Sequence, residues 1–412
     1  MEEETHKQYG LLGRTLGHSF SPRIHQLLGG YDYRLFEKEP EELEAFLTAG
    51  DFAGLNVTIP YKRSVIPFCQ ELTDQARRIG SVNTIVRRPD GTLLGHNTDY
   101  EGFLYMVRSA GVDPAGKKAL VLGSGGASLT VRTALADLGA GEVVVISRTG
   151  PDNYQNLDRH RDARLIVNAT PVGMYPDTES CLLDLDQFPA CEAVLDLIYN
   201  PARTQLLLEG EKRGMMVANG LGMLVAQARG SAQLFLGRDI PDGRVAKITR
   251  RLEGETRNIL LIGMPGCGKS TVGRALAQAL GRPLADLDEE IVARAGMSIP
   301  EIFAGQGEEA FRRLEHQVLL AAARKSGTVI ACGGGIVTRP ENFDPMRRNS
   351  AVVFLRRDLK LLPSAGRPLS QRDGPEKLYR QRKPLYEKAA DFAVDNITVE
   401  GAVTEIIRRL SL

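Results

Sequence analysis

The chain has 412 residues, of which 42% are hydrophobic and 25% charged, an ordinary globular balance that excludes collagen, low-complexity disorder and a disulfide scaffold. Its net charge of +1 divides unevenly, −5 over residues 1–256 and +6 over 257–412, and the arginines of the basic part are scattered. Scattered arginine suits pockets for small phosphates and carboxylates better than a nucleic-acid stripe, so no nucleic-acid partner is expected. No run approaches the ~20 apolar residues of a membrane span, so no membrane partner is expected either. The acidic, polar start MEEETHKQYG is unlike a signal or transit peptide. Five cysteines (Cys69, Cys181, Cys191, Cys267, Cys332) form no CxxC pair, which predicts a reducing, cytoplasmic setting and no zinc site.

In chain order, the first ~105 residues carry short polar clusters. GHSFSP sets Ser19 and Ser21 two apart, so an extended chain would point both hydroxyls one way. GLNVTIPYK repeats that period with Asn56 and Thr58, then supplies Lys62. SVNT adds Asn83, and GHNTD ends on Asp99 at an expected helix start. Hydroxyls, amides, one lysine and one aspartate suit a polyhydroxylated ring bearing a carbonyl, because a Lys–Asp pair can deliver a proton. A helix pattern near 101–112 stops at Gly111, Asp113 and Pro114, which predicts a boundary at about 105–117.

Three apolar runs, 117–126, 257–270 and 327–335, each lead into glycines, as a buried parallel strand leads into a phosphate-binding turn. After the first run, Gly123, Gly125, Gly126 and Ala127 open a helix in a dinucleotide-binding pattern. The next strand, VVVIS, ends at Ser147, Arg148 and Thr149, where an acidic residue would mark NAD; arginine there favours a 2′-phosphate, hence NADP. The polar stretch 242–256 reads as a linker.

The second run leads into Gly263–Ser270, a GxxxxGK[ST] P-loop. Gly263, Gly266, Cys267 and Gly268 would cradle phosphates, Lys269 would reach their oxygens, Ser270 would bind Mg²⁺, and Thr271 follows. Asp286 and Asp288 are expected on one strand face, and Arg312 and Glu315 on one helix face. Gly333, Gly334 and Gly335 follow a buried strand, and Arg367 and Arg382 lie further on. The predicted fold is α/β throughout: a substrate-binding domain (1–105), a Rossmann-type domain (106–241) with a helix near 221–240 returning to the first, a linker (242–256), and a P-loop domain with a parallel sheet (257–412).

The ordered motifs SFSP, NVTIPYK, SVNT, GHNTD, GSGGAS, SRT, NATPVGM, DLIYNP and GLGMLVAQ closely resemble the shikimate dehydrogenase family over about residues 8–240. That resemblance implies NADPH-dependent reduction of 3-dehydroshikimate to shikimate. It implies that Ser19 and Ser21 bind the substrate carboxylate, that Asn56, Thr58, Asn83 and Gln227 hold hydroxyls with Tyr199 nearby, and that Lys62 and Asp99 are catalytic. It also implies that Asn168, Thr170, Gly220 and Met223 line the nicotinamide. Tyr61 stands where the family usually has histidine.

The P-loop set resembles the shikimate kinase family over nearly all of 257–412. The likeness implies ATP-dependent phosphorylation of the shikimate 3-hydroxyl, with Mg²⁺ held through Ser270 and Asp286. Asp288 would take the accepting hydroxyl. Arg312 and Arg382 would clamp the carboxylate, Gly334 and Gly335 would contact the ring, and Arg367 would sit in a lid and act on the transferring phosphoryl. Two other expectations stay open at this point: a quinate-type dehydrogenase, and a half that only binds ligand as a regulatory module. Oligomeric state is not legible.

Overall fold

A computed structural model describes residues 8–17, 19–362 and 374–412. The chain forms two compact units. The first comprises the described residues to Met174, with Glu179–Tyr199 and Glu209–Arg250; the second comprises Tyr175–Thr178, Asn200–Leu208 and the described residues from Arg251 on. Two short segments of the expected Rossmann domain, 175–178 and 200–208, therefore cluster with the C-terminal unit.

The first unit contains two sheets. Strands β1 (Tyr9–Gly13), β2 (Tyr33–Glu37), β3 (Gly54–Val57), β4 (Glu71–Leu72), β5 (Thr84–Arg87) and β6 (Leu93–His96) pair in the order β2-β1-β3-β5-β6-β4. β1 runs parallel to β2 and β3, whereas β5 is antiparallel to both its neighbours. Strands β7 (Lys118–Leu122), β8 (Glu142–Ile146), β9 (Leu165–Asn168), β10 (Ala193–Asp196) and β11 (Met216–Ala218) form a wholly parallel second sheet, ordered β11-β10-β9-β7-β8. β9 and β10 are buried at every residue, as strands covered on both faces must be.

The helix Leu221–Leu236 returns to the first sheet: the Tyr9 hydroxyl donates to the Phe235 carbonyl at 2.9 Å, and their rings stack 5.0 Å apart. It also crosses the helix Asp99–Ser109 so closely that a Cβ on Gly102 would meet the Met223 carbonyl oxygen at 2.7 Å.

The second unit is built on β12 (Asn258–Ile262), β13 (Leu284–Asp286), β14 (Val329–Ala331), β15 (Ser350–Arg356) and β16 (Phe392–Asp395), all parallel in the order β13-β14-β12-β15-β16. β12 sits at the centre with all five residues buried, and the P-loop leaves its end. The helix Lys269–Leu280 stops at Gly281, whose φ of 62° suits a residue without a Cβ.

The segment read as a linker is the helix Gly243–Thr256, and the division between units falls inside it. Val245, Ile248 and Leu252 are buried at helical spacing, a stripe too narrow to stand out among its charged neighbours. Among the described residues, no helix is long and apolar enough to cross a membrane.

Candidate functional site

In the first unit, Lys62 and Asp99 meet. The Lys62 ammonium donates to Asp99 at 2.6 Å, and both side chains are largely enclosed. Lys62 follows β3 through the Ile59–Pro60 turn, while Asp99 opens the helix Asp99–Ser109. Behind them lies a buried mesh of neutral polar groups. Asn83 receives the Thr98 backbone N–H at 2.7 Å and donates to the Thr98 hydroxyl at 3.0 Å and to Gln227 Oε1 at 3.3 Å. Asn56 receives the Tyr33 hydroxyl at 2.8 Å and donates to the Ser231 hydroxyl at 2.6 Å.

Both ends of the Asn56 amide are therefore taken up by protein. It braces the wall and offers no spare donor, which departs from its expected contact with substrate. Ser19 accepts the Ser21 backbone N–H at 3.2 Å, and Ser21 starts the helix Ser21–Leu28. The chain there is turned rather than extended, with Ser19 just before the helix that Ser21 opens. The ring of Tyr199 lies 5.2 Å from that of Phe20 beside these serines, and burial raises the Tyr199 phenol.

The dinucleotide pattern sits as expected after β7. Gly123 has a φ of 105°, and a Cβ there would strike Thr170 at 2.7 Å. Gly126 begins the helix Gly126–Asp137, and a Cβ on it would lie 3.6 Å from Lys62 Cβ. A Cβ on Gly125 would meet nothing within 4 Å, and Ala127 is half-buried in the first helical turn. This opening, a helix N-terminus floored by glycines beside Lys62, fits a pyrophosphate.

After β8 the Ser147 N–H donates to the Asp152 carbonyl at 3.2 Å, closing a tight loop that leaves Arg148 and Thr149 exposed. Three expected nicotinamide residues have structural duties. Asn168 donates to Asp196 at 3.0 Å and accepts the Thr170 N–H and hydroxyl, so it shapes the loop. A Cβ on Gly220 would lie 2.0 Å from the Leu197 carbonyl oxygen, so close backbone packing requires glycine there. Met223 belongs to the hydrophobic core under the second sheet.

In the second unit, the P-loop wraps Lys269, whose ammonium donates to the Gly263 and Met264 carbonyls at 2.9 and 3.0 Å. Gly263, Gly266 and Gly268 all have positive φ (146°, 81° and 98°). Cys267 is fully buried, its carbonyl held by Asn396 at 2.8 Å, and Ser270 and Thr271 follow in the first helical turn.

Around Gly333–Gly335 the charged residues gather. Arg312 donates to Glu315 at 2.6 Å, and its guanidinium lies so close over Gly335 that a Cβ would sit 2.1 Å from it. A Cβ on Gly333 would meet Glu315 at 2.5 Å and Asp288 at 3.0 Å. Arg382 donates to the Gly334 carbonyl at 3.0 Å, and the Tyr386 hydroxyl donates to the same oxygen. Burial raises the Glu315 carboxyl despite the Arg312 guanidinium beside it, which pulls the other way.

Asp286 and Asp288 do not share a strand face. β13 ends at Asp286, whose side chain caps the helix Leu287–Ala295 by accepting the Asp288 N–H at 3.1 Å. A hydroxyl at Ser270 and a carboxylate at Asp286 are the hard oxygen donors Mg²⁺ prefers, chiefly with water completing its shell. Arg367 lies outside the described residues. The five cysteines are free thiols.

Sequence reasoning missed Tyr33, Thr84 and Ser231, which join Asn56, Asn83 and Thr98 in one mesh. Ser231 stands four residues after Gln227 on one helix, a spacing that gave the available signal.

The family "Shikimate dehydrogenase substrate binding domain" matches residues 11–85, and "Shikimate kinase" matches 265–411. A shikimate dehydrogenase (NADP(+)) of Methanopyrus kandleri is 42% identical over 264 residues, 56% of this chain and 91% of the relative. The solved structure of a chorismate mutase/shikimate 5-dehydrogenase fusion protein from Clostridium acetobutylicum is similar over 60% of this chain and 97% of its own, with TM-score 0.57 and 35% identity. That of shikimate 5-dehydrogenase from Thermus thermophilus in complex with NADP(H) and shikimate is similar over 60% and 99%, with TM-score 0.54 and 33% identity.

Proposed function

The chain belongs to the shikimate dehydrogenase family and, in its C-terminal part, to the shikimate kinase family, and from that premise we propose how two consecutive reactions run on one polypeptide. The first is NADPH-dependent reduction of 3-dehydroshikimate to shikimate; the second is ATP-dependent phosphorylation of shikimate to shikimate 3-phosphate. Both serve aromatic amino acid biosynthesis, and the unpaired cysteines support the cytoplasm as their setting.

For the reduction, the carrying observation is the Lys62–Asp99 pair against the first turn of the Gly126–Asp137 helix. NADPH, when bound, supplies the hydride that adds to the ketone carbon. Lys62 stabilises the oxygen as charge develops and donates a proton to it, so the carbonyl becomes a hydroxyl. Asp99 holds the ammonium in place. Ser19 and Ser21 take the substrate carboxylate, Thr58, Asn83 and Gln227 its hydroxyls, and Tyr199 closes the side next to Phe20. Arg148 and Thr149, turned outward, take the 2′-phosphate, and Gly123, Gly125 and Gly126 admit the pyrophosphate.

For the phosphorylation, the carrying observation is the ring of Asp288, Arg312, Glu315 and Arg382 around Gly333–Gly335, beside a P-loop whose Pro265 abuts Gly334. ATP, when bound with Mg²⁺, supplies the phosphoryl group. Arg312 and Arg382 clamp the carboxylate of the ring, and Asp288 accepts the hydroxyl that attacks. Lys269 pairs with the phosphate oxygens, while Ser270 and Asp286 hold Mg²⁺ directly or through water. Arg367 is assigned to the transferring phosphoryl by motif alone.

A coupled assay tests both halves. With 3-dehydroshikimate, NADPH, ATP and Mg²⁺, shikimate 3-phosphate should form; omitting ATP should stop the product at shikimate. No oxidation of NADPH would overturn the first reaction, and no phosphate ester from added shikimate would overturn the second.

A further inference from the structure

We propose that Ser231 is a positioning residue of the dehydrogenase pocket, setting the side chains that hold the substrate ring without touching it; this rests on the reduction assigned above. Ser231 is completely enclosed on the helix Leu221–Leu236. Its hydroxyl lies 2.6 Å from Asn56 Nδ2, 2.8 Å from the Thr84 hydroxyl, 3.0 Å from the Thr98 hydroxyl and 3.1 Å from the Gln227 carbonyl. It thereby joins β3, β5, the turn before Asp99 and the Leu221–Leu236 helix at one atom.

A serine hydroxyl has one proton and two lone pairs. One assignment makes the three shortest of these contacts. Asn56 and Thr98 donate to Ser231, Ser231 donates to the Thr84 hydroxyl, and Thr84 donates to Asn83 Oδ1 at 3.2 Å. Asn83 Oδ1 also takes the Thr98 N–H, while Asn83 Nδ2 reaches Thr98 and Gln227 Oε1. In this pattern the amides of Asn83 and Gln227 have defined orientations, because turning either amide over leaves a buried donor facing a donor. Removing the Ser231 hydroxyl deletes two acceptor sites at once. Asn56 loses its shortest partner, and the Thr84 and Thr98 hydroxyls are left to compete for Asn83 Oδ1, shifting the amide that in turn donates to Gln227 Oε1. Buried polar meshes that are partly unsatisfied rearrange instead of tolerating the orphan.

The test uses the full chain with Ser231→Ala and, separately, Thr84→Val, which removes a partner hydroxyl at nearly constant shape. In Ser231→Ala, KM for 3-dehydroshikimate should rise at least about tenfold, while KM for NADPH moves less than about twofold and kinase turnover on shikimate is unchanged. Thr84→Val should move the same KM, and the double variant should be no worse than the poorer single one, as expected when both act through one mesh. An unchanged KM for 3-dehydroshikimate in Ser231→Ala overturns the proposal. So does a parallel decline of kcat with both KM values untouched, the mark of a smaller folded fraction. A wild-type chain that reduces 3-dehydroshikimate beside a kinetically normal Ser231→Ala sinks the positioning role alone; a wild-type chain that leaves NADPH unoxidised sinks the reaction assignment with it.

Discussion

The two proposed pockets would recognise one cyclohexene carboxylate with opposite materials. The dehydrogenase wall is a mesh of neutral amides and hydroxyls with the ion pair Lys62–Asp99 at its edge. The kinase wall is charged throughout, with Asp288, Glu315, Arg312 and Arg382 packed round three consecutive glycines. The chemistry accounts for the difference. Reduction of a ketone needs one proton delivered to one oxygen, which a single Lys–Asp pair can supply. Phosphoryl transfer gathers negative charge on several oxygens, so cations and their balancing carboxylates must crowd the site.

The largest expected effect breaks the neutral pocket at its charged edge. Lys62→Ala should lower reduction of 3-dehydroshikimate by about 10³-fold while phosphorylation of shikimate by the same preparation continues. Near-normal reduction in that variant, followed by NADPH absorbance, would remove Lys62 from the chemistry.

A second test asks whether the interior beside the mesh is intolerant of charge. His25 is wholly buried, stacked 3.9 Å from the Tyr33 ring, and desolvation pushes its pKa down to about 3. The unfolded chain binds a proton below about pH 6.5, which the folded chain refuses until about pH 3. Stability is therefore complete above about pH 6.5 and declines as pH falls. Between about pH 7 and 5 the loss should be about 2 kcal/mol, and His25→Gln should flatten that slope in urea titrations. Parallel slopes in the two proteins would show that His25 takes up its proton without unfolding.

The smallest test sharpens the charged side. Arg382→Lys keeps the charge but loses the planar fork, so KM for shikimate in the kinase assay should rise about tenfold with KM for ATP little changed. Equal shifts in both constants would place Arg382 in general packing instead.

The sequence showed most clearly what backbone geometry dictates. The P-loop was readable because Gly263, Gly266 and Gly268 need conformations that few other residues adopt, and β7, β12 and β14 because strands covered on both faces are continuously apolar. Side-chain duties were harder to read. Asp288 resembled a strand residue because nothing local announces that β13 ends at Asp286, whose carboxylate caps the helix that carries Asp288. The helix Gly243–Thr256 was hidden by its charge, since Val245, Ile248 and Leu252 alone make a faint buried stripe. Asn56 looked like a ligand because its period matched Thr58; Tyr33 and Ser231, which occupy its amide, come from distant parts of the chain.

That distance also governs how the molecule is made. The bond from Asn56 to Ser231 spans 175 residues of chain. A nascent polypeptide emerging from the ribosome cannot close it until the helix Leu221–Leu236 has been synthesised, after both sheets of the first unit. Contacts of such long range are slow to form, because the ends of a long loop must first find one another. The dehydrogenase pocket should therefore mature late relative to its own strands, and any stall in translation before residue 231 leaves its polar wall open to water.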